Sequence, residues 1–140
     1  MSSIKFFTED IDFKLPHPRK TSSWIKSTIE KEKKKLANLS YIFCSDEYLF
    51  EINVEYLRHK TYTDIITFDM SEGSGVIEGD IFISIHRVKE NSEKLGVHFD
   101  EELHRVIIHG ALHLIGYSDK TTTQKSTMRR KEDAYLSLRK

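Results

Sequence analysis

One cysteine, Cys44, stands in a chain of 140 residues. That excludes an internal disulfide framework and a zinc site built from the cysteines of one chain. A reducing compartment is compatible with it. Prolines number two and glycines six, and no stretch has the composition of a linker, a repeat or a low-complexity tract. Residues 1–140 are therefore read as one domain. Long apolar runs are missing as well. The longest segment free of Asp, Glu, Lys and Arg is 106–118, too short to span a bilayer. The opening MSSIKFFTEDIDF has no basic region leading into an apolar one, so no signal peptide and no membrane partner are expected. The expected location is the cytoplasm.

What is present is charge in balance but unevenly placed. Residues 1–40 carry nine Lys/Arg against five Asp/Glu, residues 41–119 six against fifteen, and residues 120–140 seven against two. Basic ends of this kind can meet an anionic polymer, while an acidic middle can sit near a cation. Charge runs such as Lys31 to Lys35 and Arg129 to Lys131 are equally the solvated faces of helices, so charge alone does not establish nucleic-acid binding.

The pattern of apolar residues predicts the order β-α-β-α-β-β-α-α-α. Strands are expected at 4–9, 38–45, 63–70 and 75–85. A helix is expected from about Ser22, with Trp24, Ile25, Thr28, Ile29 and Leu36 as its stripe. A second should follow Asp46 as its cap, with Leu49, Ile52, Asn53 and Tyr56 on one face. A polar helix should end at Gly96. Asp100 should cap the next, which Gly116 ends, and a basic helix from about Thr122 should rest on Met128, Ala134, Tyr135, Leu136 and Leu138. Adjacent strands among helices predict an α+β domain: a mixed sheet of about four strands packed with helices.

The chemistry concentrates in HGALHLIGYSDK, residues 109–120. His109 and His113 are four apart on the expected helix, which puts both imidazoles on one face. Two such imidazoles can bind one divalent ion, and catalytic zinc commonly takes a third protein ligand and leaves a position open. A straight helix cannot supply the third ligand, but Gly116 can turn the chain, and Asp119 follows three residues later. The offsets match the long zinc signature H-E-x-x-H-x-x-G-x-x-H with aspartate in the last position. Gly110 stands where that signature has its glutamate base, which disfavours a metalloprotease. A glycine there also costs roughly 1 kcal/mol against alanine, so close backbone approach by a strand or a substrate is expected. The plain alternative is a pair of satisfied core histidines. His17 reads as a loop residue, and His59, His86, His98 and His104 as surface positions.

These residues resemble the YbeY family of bacterial rRNA maturation factors. HGALHLIGYSDK is similar to that family's H-G-x-L-H-L-x-G-Y-D-H. TDIITFDM at 63–70 resembles its T-D-V-L-S-F strand, GDIFIS at 79–84 its G-D-I strand, and EINVEYL at 51–57 the helix ending in L-N-x-x-Y/F-R. Order and spacing agree over 50–120, about half the chain.

The resemblance implies a zinc-dependent, single-strand-specific endoribonuclease. Its partners would be rRNA and the small ribosomal subunit, with no DNA, and its roles 16S rRNA 3′-end maturation and ribosome quality control. It implies one Zn2+ per chain on His109, His113 and Asp119, the last in place of the family's third histidine. The family arginine that follows Tyr56 directly is Leu57 here; Arg58, one place on, is the candidate catalytic cation, and a surface cation is its plain alternative. Asp64 and Asp80 are candidate acceptors for the ligand histidines, or simple strand-end residues. The competing function is a non-catalytic assembly factor in which the metal only staples the loop to the helix.

Overall fold

The structure, a computed structural model, describes residues 2–73 and 75–139. Among these residues four strands, β1 (Ser3–Glu9), β2 (Lys35–Cys44), β3 (Ile65–Asp69) and β4 (Val76–Ser84), form one sheet in the order β1-β2-β4-β3. β1 and β2 run parallel, as do β2 and β4, while β3 returns antiparallel beside β4. The sheet is therefore mixed, and the α+β expectation holds.

Among the described residues five helices surround it: α1 (Pro18–Lys31), α2 (Asp46–Leu57), α3 (Ile85–Leu95), α4 (Phe99–Ile115) and α5 (Thr122–Ser137). α1 and α4 cover one face. There Ile25 and Ile29 of α1 meet Leu39, Tyr41 and Phe43 of β2, Ile81 and Ile83 of β4, and Leu103, Ile107, Ile108, Ala111 and Leu112 of α4. The alternation of β2 and β4 sends every second side chain into this core. On the other face α2 closes a smaller cluster of Cys44, Leu49 and Ile66, with Phe68 and Phe82 against it.

Five local expectations need correction. α1 begins at Pro18 rather than near Ser22, because proline's fixed φ suits the first helical position. Leu36 is buried, but in β2 rather than α1. Ser45, not Asp46, caps α2, accepting from the Tyr48 amide at 3.0 Å; Asp46 sits one place inside and pairs with Arg87 at 2.7 Å. Asp100 lies within the first turn of α4, after His98, where it complements the helix dipole without capping. Ala134 and Leu138 of α5 are exposed; Met128, Tyr135 and the half-buried Leu136 carry its apolar contact.

α4 is the element that positions the site, and it is held at three levels. The Tyr41 hydroxyl, fully buried, donates to the Ile107 carbonyl at 2.9 Å. Gly110 lets the helix lie directly on the sheet, since a β-carbon there would meet Ile65 at 2.9 Å and Ile81 at 3.0 Å. The expected close approach at this glycine is thus made by strands β3 and β4. At its end Gly116 takes φ 131°, and the amides of Gly116 and Tyr117 close back on Leu112 at 3.2 and 3.1 Å.

Candidate functional site

His109 and His113 open from α4 into a cleft of about 590 Å³ between α4, α5 and the start of β3. Their rings are nearly parallel, 7° apart in plane, with centroids 6.3 Å apart. That is the expected consequence of four-residue spacing on a helix. The turn at Gly116 then brings Asp119 back to the same cleft, with its Oδ2 3.4 Å from His109 Nε2.

The fold holds this turn in place from behind. The Tyr117 hydroxyl donates to Glu32 at 2.6 Å, Lys131 donates to the same carboxylate at 3.0 Å, and Tyr135 joins it. Glu32 is the residue that ends α1. Burial works against its charge, but the bonds from Tyr117, Tyr135 and Lys131 outweigh it and lower its pKa. One carboxylate thereby ties α1, the turn after α4, and α5 together.

The cleft also gathers residues that spacing along the chain does not associate. Glu132 of α5 is buried, with its Oε2 2.6 Å from His109 Nδ1 and its Oε1 2.9 Å from Arg105 Nη1. Arg105, one turn before His109, also donates to Asp133 at 2.7 Å. Asp64 and Glu102 line the cleft, and burial pushes both carboxyl groups up in pKa; the neighbouring Asp64 charge adds to the effect on Glu102. Burial opposes protonation of His109, but the bond and charge of Glu132, followed by Asp119 and Asp64, raise its pKa overall. Lys125 and Arg129 of α5 complete the lining.

The sequence-derived candidates fall into two groups. His109, His113 and Asp119 share the cleft, and Asp64 joins them. Arg58 does not line it: the chain leaves α2 at Arg58 in the left-handed conformation, φ 56°, and the side chain is exposed. Asp80 lies in β4, paired with Ser40 and Phe68, outside the cleft lining. Of the remaining histidines, His104 departs from its surface expectation, since it packs edge-on against Trp24 at 6.0 Å. Glu132 went unnoticed in the sequence because nothing local marks it; Arg105 carried a signal, standing four residues before His109 on the same helix face.

The donor set suits a divalent cation of the zinc type: two imidazoles on one helix face and a carboxylate at the first of them. Among the described residues, no three His, Cys, Asp or Glu side chains stand together as a ready-made metal cluster. No described helix is long and apolar enough to cross a membrane.

Comparison with known proteins bears on what this cleft serves. The family model described as Endoribonuclease YbeY matches residues 4–139. A protein named Endoribonuclease YbeY from Cytophaga hutchinsonii is 54% identical over 138 residues, covering 99% of this chain and 96% of that protein. Those of the same name from Christiangramia forsetii and Amoebophilus asiaticus are 50% and 47% identical, each covering 96% of this chain and 93% and 92% of their own. The solution structure of TM1509 from Thermotoga maritima superposes with a TM-score of 0.68 at 24% identity, covering 96% of this chain and 87% of that one. That likeness speaks for the fold. A family model running across both the sheet and the histidine helix, and relatives identical at about half of all positions, make this chain a member of the YbeY family.

Proposed function

We propose that this protein is a zinc-dependent endoribonuclease that cuts single-stranded RNA in the α4–α5 cleft. Its role is in 16S rRNA 3′-end maturation and ribosome quality control, on the small ribosomal subunit in the cytoplasm. The observation that carries the chemistry is the 3.4 Å approach of Asp119 to His109 Nε2 in a cleft that His113 also lines. The printed names of the relatives support action on RNA.

His109, His113 and Asp119 would hold the ion, which supplies Lewis acidity toward a phosphoryl oxygen. The residues of the chain do the rest. Lys125 and Arg129 face the cleft and neutralise backbone phosphates without reading bases. Arg105 is engaged by Glu132 and Asp133, so it braces the site rather than meeting substrate. Arg58, the candidate catalytic cation, stands outside the cleft lining, so its assignment requires RNA that extends beyond the cleft. Asp64 and Glu102, their pKa raised by burial, are carboxyl groups placed to exchange protons within the cleft.

Elemental analysis of purified protein, paired with cleavage of a single-stranded RNA by wild type and His113→Ala, tests this. Roughly one zinc per chain is expected in the wild type, with loss of both metal and cleavage in the variant. Full cleavage by the metal-free variant would sink the reading. Zinc-loaded wild type without turnover on any RNA would leave the non-catalytic assembly factor in its place.

A further inference from the structure

His109 has two ring nitrogens, and the fold treats them differently. Nε2 faces Asp119 at 3.4 Å, toward the open cleft. Nδ1 faces a carboxylate on another helix, Glu132 Oε2 at 2.6 Å. Glu132 is 4% exposed, and its other oxygen accepts from Arg105 at 2.9 Å. Each carboxylate oxygen therefore has one partner, and both partners stand on α4, one turn apart.

A carboxylate paired to a guanidinium accepts hydrogen bonds and does not give them. In the neutral ring, the form that binds a metal, the proton shared with Glu132 therefore sits on Nδ1, which leaves the lone pair on Nε2. The ring is also fixed in direction, because Arg105 stops the carboxylate from swinging away. We propose that Glu132 is a positioning residue: through Nδ1 it fixes His109 as an Nε2 ligand aimed at the Asp119 side of the cleft. The proposal rests on the reading that a divalent cation is held there. It gives α5 a task beyond covering the core, since a residue distant in sequence sets the ring's tautomer and angle.

The alternative is that Glu132 merely staples α5 to α4 through Arg105, and the test separates the two. Metal-free full-length protein is titrated with zinc against a chromophoric chelator, for wild type, Glu132→Gln and Glu132→Ala. In parallel, long-range 1H–15N spectra of the imidazoles are recorded on zinc-loaded wild type. Glu132→Ala should bind zinc about 10–100-fold more weakly. Glu132→Gln, which retains an oxygen for the Nδ1 proton, should fall between it and the wild type. The spectrum should show a protonated Nδ1 and a metal-bound Nε2 at His109. The proposal fails if wild type binds zinc and both variants bind it equally tightly, or if Nδ1 is the metal-bound nitrogen. The spectrum uses wild type alone, so it decides even if the alanine variant does not fold. Absence of zinc uptake by wild type would instead overturn the underlying metal reading.

Discussion

The backbone of Gly110 lies against the side chain of Ile81, so closely that a β-carbon at 110 would stand 3.0 Å from Ile81 Cγ2 and 2.9 Å from Ile65 Cδ1. Alanine there gains about 1 kcal/mol of helix propensity and meets overpacking of roughly 1–3 kcal/mol. Gly110→Ala should thus lose about 1 kcal/mol net, and Gly110→Val more than about 2. Urea unfolding checks it: the midpoint should fall at unchanged slope.

Gly79 is the sharper case, because its obstacle is backbone. A β-carbon would lie 2.2 Å from the Phe68 carbonyl oxygen across the β3–β4 pairing. No rotamer relieves that contact. Gly79→Ala should cost about 3 kcal/mol or more and open β3, visible as faster amide exchange at Thr67 and Asp69. Equal stability to wild type would refute it.

The stability of the protein should fall in mild acid through His104. Burial holds its imidazole neutral and brings its pKa from 6.5 down to about 4, with Arg139 and Lys20 adding repulsion and Asp100 opposing it. The unfolded chain takes up the proton first. The contribution is therefore full above pH 6.5 and is lost as pH falls from 6.5 to about 4. His104→Gln should flatten the difference in unfolding free energy across that window, measured by urea titration at several pH values.

The Glu32 anchor predicts a local loosening. Glu32→Ala leaves the hydroxyls of Tyr117 and Tyr135 and the Lys131 ammonium without their common partner. Because Lys131 can turn to water, the cost should be about 2 kcal/mol rather than that of a fully buried charge. Amide exchange at Tyr117 to Lys120 should accelerate more than in the sheet. A uniform change would show that Glu32 acts only on global stability.

Asp119 stands where the resemblance places a histidine. Under the proposed metal site, Asp119→His should keep about one zinc per chain, while Asp119→Ala should weaken binding at least about tenfold. Zinc titration of the two variants distinguishes them. An alanine variant with wild-type affinity would remove Asp119 from the ligand set.

Much of this could be read from single residues because the forces were local. The spacing of His109 and His113, the break at Gly116 and the alternation in β2 and β4 follow from helical and strand periods that neighbours enforce. Boundaries failed where two local signals competed. Ser45 and Asp46 are both good caps, and the serine won because Asp10 grips it at 2.6 Å, freeing Asp46 for Arg87. His104 looked like a surface residue because its own segment is polar; Trp24 from α1, eighty positions earlier in the chain, buries it.

The sequence by itself determined the kind of chemistry on offer: two imidazoles on one helix face, a glycine that turns the chain, and a carboxylate within reach. Those follow from short-range spacing along one helix and the turn that ends it. The tertiary structure decided which nitrogen of His109 faces the cleft and which cations line it. It did so because Glu132, Lys125 and Arg129 arrive on α5, and only the packing of that helix against α4 and α1 sets where it lies.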